Sequence, residues 1–184
     1  MQTRIVQILF LILSTVVAGA CQDMWPAFCG VKPPFLLTLV LHAAFQKANF
    51  DESDRHVEKS PFYSAIWIPA ALLAGAFEDA LSDFPVGCAT GYFLLAGAAA
   101  RFLRNFIHVL RPAVLGIVVA MAVAPFHELW LAVWGVSGDQ QSLFIRFFAA
   151  AIPAAPVGAF LFFLLPHLET AVGFDGPDTN RRLS

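Results

Sequence analysis

The sequence predicts an all-α, polytopic membrane helix bundle with six transmembrane helices and both termini cytoplasmic. Three observations carry that expectation. The chain of 184 residues is 59% hydrophobic and only 13% charged, with a mean hydropathy of +0.72, whereas soluble domains average about 25% charged residues. Its apolar residues, 19 Phe among them, exceed what a soluble fold of this length can bury, so lipid is the expected solvent. They fall into six runs, and the basic residues are divided unequally between the connections.

The first run spans about Ile5 to Ala20, with Arg4 before it. A cleaved signal peptide has a similar shape, but a single leading charge and no clear cleavage site argue for a retained helix. The sequence VAGAC ending at Cys21 faintly resembles a lipoprotein cleavage site, with Ala18 where Leu is usual. The second run spans Pro34 to about Phe50, where Lys47 lies close enough to an end to snorkel. The third spans Phe62 to Phe77, the fourth Val86 to Ala100, the fifth Pro112 to Trp134 and the sixth Leu143 to Leu165. A helix needs about 20 residues to cross about 30 Å of hydrocarbon, and only the last two runs reach that comfortably. Runs two to four must thin the bilayer, snorkel their ends or sit beside longer neighbours.

With the amino terminus inside, Arg4, Lys47, Arg55, Lys59, Arg101, Arg104, Arg111, Arg181 and Arg182 fall on the inner side, and only Lys32 and Arg146 fall outside. Nine of eleven basic residues on one side is the asymmetry that cytoplasmic loops show. Removing or adding one span would scramble it. The same scheme places Glu78, Asp79 and Asp83 at an outer, water-facing corner between the third and fourth helices.

One membrane domain therefore occupies residues 1–173, and residues 174–184, FDGPDTNRRLS, form a polar tail without periodicity, expected to be disordered. The stretch from Lys47 to Pro61 reads as a solvated cytoplasmic loop. Pro69, Pro125, Pro153 and Pro156 lie inside apolar runs, where proline kinks a helix. Small residues recur at four-residue spacing, Gly87 and Gly91 on the fourth helix and Ala150, Ala154 and Gly158 on the sixth. Such stripes let backbones approach closely, within the bundle as the plainer reading or against another protein's helix. Cys21, Cys29 and Cys88 form no metal-binding or redox pair by spacing. Cys21 and Cys29 could join in an oxidising compartment, although small residues at helix ends need no such role. The net charge of −2 gives no reason to expect nucleic-acid binding.

Two clusters could carry chemistry. Glu78 and Asp79 are adjacent and point about 100° apart on a helix, and Asp83 lies four residues beyond Asp79. Carboxylates near a membrane could bind a cation, accept a partner's basic side chain or relay protons; the bland alternative is that they cap the next turn. His127 and Glu128 begin like a zinc-protease HExxH, but Leu131 stands where the second histidine belongs. Glu128 would cost about 2.5 kcal/mol or more in lipid unless paired, and Arg146 is a candidate partner. His42, His108 and His167 lie near predicted helix ends, where interfacial histidines are ordinary. No nucleophile elbow, phosphate loop or paired metal motif is present, so no cofactor or metal is expected.

In order along the chain stand Pro34 opening a Leu-rich helix, then Gly75-Ala76-Phe77-Glu78-Asp79, the turn Pro85-Val86-Gly87, the pair Gly91-Tyr92, His127-Glu128 in the fifth helix, and the closing IPAAPVGAFLFFLLPHLE. On these motifs the chain resembles the rod shape-determining protein MreD family. That resemblance implies a non-enzymatic bacterial inner-membrane protein of the cell-elongation machinery. It implies binding to MreC and association with MreB, RodA and a class B penicillin-binding transpeptidase, in the service of cell shape and peptidoglycan synthesis. It also implies a fold similar to the substrate-binding components of energy-coupling-factor vitamin transporters, which makes such a component the main alternative. An intramembrane enzyme with His127 and Glu128 as acid and base is a further alternative.

Overall fold

In the computed structural model the described residues are 2–45, 66–82, 85–104, 111–134 and 143–171. They form six α-helices: α1 Gln2–Met24, α2 Phe35–Phe45, α3 Trp67–Leu81, α4 Cys88–Leu103, α5 Pro112–Val133 and α6 Leu143–Ala171. The described residues contain no β-strand beyond one isolated bridge between Phe28 and Val31. That bridge closes a two-residue turn in which Cys29 has φ 49° and Gly30 φ 76°, the left-handed pair that tight hairpin turns demand. The turn reverses the chain between α1 and α2. The 47–61 loop, Asp83 and the 174–184 tail lie outside the described residues.

Proline and threonine start α2. Pro34 directly precedes it, and its carbonyl accepts both the Thr38 amide at 3.0 Å and the Thr38 hydroxyl at 2.7 Å. Pro112 is the first residue of α5, where its missing N–H costs nothing. Pro69 is the third residue of α3 and so sits in a first turn that has no intrahelical bond to lose, rather than in a helix interior. Pro125, Pro153 and Pro156 do lie inside α5 and α6. The sixth helix passes through Pro166 and continues to Ala171, beyond the expected end at Leu165. The third helix likewise runs past Phe77, so Glu78 and Asp79 belong to its last turn.

The shortest helix is the most buried. Ten of the eleven residues of α2 are buried, and α2 packs against all five other helices. Leu36, Leu37, Val40 and Leu41 form the centre of the core with Phe93, Ala71, Ala74 and Phe162. Around this axle, α5 and α6 make the most extensive pairing. A Cβ on Gly158 would collide with the Gly116 carbonyl and Ala120, and one on Gly116 with the Gly158 carbonyl and Phe162. Ala150 and Ala154 are buried with Ala120 and Ala124 along the same seam. The small-residue stripe of α6 is thus occupied by α5.

The outer faces are apolar. Leu9, Leu13 and Val17 of α1, Leu72 and Leu73 of α3, Leu95 of α4, and Phe144, Phe148 and Ile152 of α6 are all exposed. Among the described residues two helices, α5 with 22 residues and α6 with 29, are long and apolar enough to cross a membrane. Contacts between helix ends show that the helices alternate in direction. The last turns of α1, α3 and α5 meet the first turns of α2, α4 and α6 at one end of the bundle. At the opposite end, His42 of α2 meets Glu169 of α6 at 3.3 Å. His42 lies in the last turn of α2, as expected, and is buried and paired there.

Candidate functional site

The end where α1, α3 and α5 finish brings together Gln22, Glu78, Asp79, His127, Glu128 and Arg146. Glu78 and Asp79 are neighbours in the last turn of α3, so they face different helices. Both are only 7% exposed, which corrects the expectation of a water-facing corner. Protein donors have replaced the water.

Asp79 caps the next helix. Its Oδ1 accepts the Ala89 amide at 2.8 Å, and its Oδ2 accepts the Gly87 amide at 2.9 Å and the Thr90 hydroxyl at 2.8 Å. The Thr90 amide adds a longer contact at 3.4 Å. These are donors of the first turn of α4, which have no intrahelical acceptors, and a carboxylate there also meets the positive end of the helix dipole. The local sequence makes this geometry available. Gly87, the residue before α4, has φ 93°, a value that glycine adopts without a Cβ clash. The Cys88 amide closes the Pro85 turn at 3.0 Å. Gly75 brings the helices together, because a Cβ there would strike the Thr90 backbone. Gly87 itself lies in open space, and Gly91 has only Trp130 at 3.8 Å from its Cβ direction, so neither forms the close helix seam that their spacing suggests.

Glu78 faces the other way. It shares the lining of a cleft with the Gln22 side chain of α1, whose Oε1 accepts the Leu36 amide at 3.1 Å at the start of α2. Its Oε1 lies 3.7 Å from His127 Nε2, too far for a hydrogen bond. That nitrogen is buried and has no hydrogen-bond partner. The His127 ring sits against Tyr92 and Phe93, with centroids 4.9 and 5.9 Å away. The Tyr92 hydroxyl donates to the Val123 carbonyl at 2.6 Å, which is the carbonyl of the helix turn holding His127.

Glu128, next to His127 in sequence, points to α6. Arg146 meets its Oε2 with Nη2 at 2.8 Å and Nε at 3.0 Å. Glu128 is buried and Arg146 partly so, and each charge offsets the desolvation of the other. The structure therefore separates the two residues that the sequence presents as a unit, and joins His127 to Glu78 instead. Trp130, one turn further on, donates from Nε1 to the Cys88 carbonyl at 3.0 Å, which ties the end of α5 to the start of α4.

Leu131 is buried at the position where a metal-binding histidine would stand, and no group of three or more metal-ligating side chains occurs among the described residues. Cys21, Cys29 and Cys88 are free. A cleft of about 40 Å³ opens between α1, α3 and the start of α2, with Glu78 and Gln22 inside it and the Asp23–Lys32 pair, 2.6 Å apart, at its exposed mouth. Gln22, Tyr92 as a hydrogen-bond donor, and Trp130 carry no motif that spacing could reveal. They become site residues only through the meeting of helices far apart in sequence.

No protein-family model matches the chain, and neither a curated protein nor a solved structure matches it.

Proposed function

We propose that the chain is a non-enzymatic, multi-pass protein of the bacterial inner membrane that serves the cell-elongation machinery. Six spans with both termini cytoplasmic would place the Glu78 end of the bundle on the outer side. There it would hold an MreC-like partner and so influence peptidoglycan synthesis and cell shape, in association with MreB, RodA and a class B penicillin-binding transpeptidase.

One observation carries the reading. The Gly75–Thr90 stretch, which carries part of the MreD resemblance, forms a single structural unit. Gly75 admits Thr90, Asp79 holds Thr90 and Ala89, and Pro85 and Gly87 make the turn between them. Glu128 is held by Arg146. The acids are thus engaged in joining helices, and the surface left outward is apolar on α1, α3, α4 and α6. That combination suits a scaffold that works through its helix surfaces and ends. The vitamin-transporter alternative gains no support from the cleft beside Glu78. Its 40 Å³ falls well below the roughly 300–1,000 Å³ of small-molecule pockets.

Two measurements test the proposal. Mild-detergent pull-down of the tagged chain should recover an MreC-like protein, and repeated failure to do so would count against the scaffold role. A membrane-impermeant maleimide applied to spheroplasts should label Cys29, which is exposed in the α1–α2 connection. Labelling only after the membrane is broken would overturn the proposed orientation.

A further inference from the structure

The cleft beside Glu78 has features that the scaffold role does not use. Its floor is a carboxylate buried to 7% exposure, with the Gln22 side chain beside it in the lining. Behind that carboxylate, the buried Nε2 of His127 has no partner. A buried carboxylate and an orphaned ring nitrogen 3.7 Å apart mark a place where polar atoms outnumber their protein partners. At the mouth, Lys32 and Asp23 form a pair with side chains 49% and 66% exposed. Such an exposed pair holds its members weakly, so Lys32 can turn to another anion.

Charge and size restrict what could enter. The lining holds two carboxylates, Glu78 and Asp23, against one cation, Lys32, an acidic excess of one that suits a monovalent cation. The volume of about 40 Å³ is close to that of one water-sized group, at about 30 Å³. A primary ammonium has that size and brings three N–H donors to the carboxylate. The rim is apolar toward the outside of the bundle. Leu81, which lines the cleft, is 58% exposed, and Met24, beside Asp23, is 86% exposed. The occupant that fits all three features is an amphiphile with an ammonium tip, an adjoining anion and an apolar body. We propose that this cleft is a headgroup site for a phospholipid bearing a primary ammonium, with Glu78 holding the ammonium and Lys32 the phosphate. A trimethylammonium headgroup lacks N–H donors and is too large, and a glycerol headgroup gives Glu78 no counter-charge.

This inference rests on the membrane part of the reading above, and one experiment separates the two. The full chain is reconstituted in vesicles containing equal amounts of phosphatidylethanolamine, phosphatidylcholine and phosphatidylglycerol. It is then extracted in mild detergent, and its retained lipids are counted by native mass spectrometry. The parent should retain phosphatidylethanolamine about tenfold over phosphatidylcholine, the ratio a single buried charge contact can supply. Glu78→Gln should erase that preference. Lys32→Ala, at an exposed position that leaves the fold intact, should lower phosphatidylethanolamine retention severalfold. Equal retention of the three lipids by the parent would overturn the site, as would retention unchanged in Lys32→Ala. Release of the parent from vesicles by alkaline carbonate would instead refute the membrane reading itself.

Discussion

Replacing Asp79 by alanine removes the acceptor of three short hydrogen bonds at the start of α4, from Gly87, Ala89 and Thr90. An ordinary exposed helix cap contributes about 1 kcal/mol. Here the Ala89 residue is fully buried, so its amide loses its partner with no water to replace it, at about 1–3 kcal/mol. The Gly87 amide lies at an exposed turn and regains water, and the Thr90 hydroxyl can rotate. Together with the lost charge–dipole attraction, the expected cost is about 3 kcal/mol. For a chain of this size that corresponds to a fall in unfolding temperature of about 6–12 °C. Asp79→Asn keeps one acceptor oxygen and should recover roughly half of the loss. Thermal unfolding in detergent reads the global effect. Cys88 offers a local one, because it is the first residue of α4 and only 3% exposed. In a Cys21→Ser, Cys29→Ser background, Asp79→Ala should make Cys88 react faster with a maleimide. An Asp79→Ala variant that melts within about 2 °C of its parent and keeps Cys88 protected would refute the capping argument.

Arg146→Ala strands the buried Glu128 charge and should cost about 3–5 kcal/mol by thermal unfolding, whereas the double variant Glu128→Gln, Arg146→Leu should regain most of it. Gly158→Ala forces a methyl into the Gly116 carbonyl and should lower stability by about 1–3 kcal/mol; Gly91→Ala, with ordinary contact at 3.8 Å, should be close to neutral in the same assay. Gly87→Ala meets no neighbour but must adopt φ 93°, so a cost of about 1–2 kcal/mol is expected, and Gly87→Asn should soften it.

Helix number, order and approximate position were legible because apolar runs, prolines and acidic turns punctuate this chain. The partner of Glu128 was legible as well, since Arg146 is a cation in the next apolar segment. What the sequence could not convey is which way adjacent side chains face once helices meet. Glu78 and Asp79 read as one acidic corner, yet one caps α4 and the other lines a cleft with α1. His127 and Glu128 are adjacent in the sequence, with an acid–base pair as one alternative, yet they contact α3 and α6 respectively. Gly116 is a lone glycine in an apolar run, and only its meeting with Gly158 makes it a contact. The apolar run of α3 stops at Phe77, but the helix continues through Glu78 and Asp79 to Leu81. Here the Asp79 carboxylate is satisfied by the start of α4, and Glu78 is buried beside the cleft.

The burial of α2 bears on how any partner could engage the bundle. An eleven-residue helix spans about 16 Å, too short to cross hydrocarbon by itself. It is tolerable because its whole circumference is covered by longer helices, so its ends need not reach lipid headgroups. The same covering removes α2 as a docking face. The α6 stripe of Ala150, Ala154 and Gly158 is removed as well, because α5 fills it. A partner helix would therefore have to pack on larger side chains, such as the outward row of Phe144, Phe148 and Ile152. Close approach through small residues is excluded there, and the spacing between helix axes would be set by Phe and Ile. Asp79 and Glu128 already hold the helices to one another, whereas the Asp23–Lys32 pair at the same end is exposed.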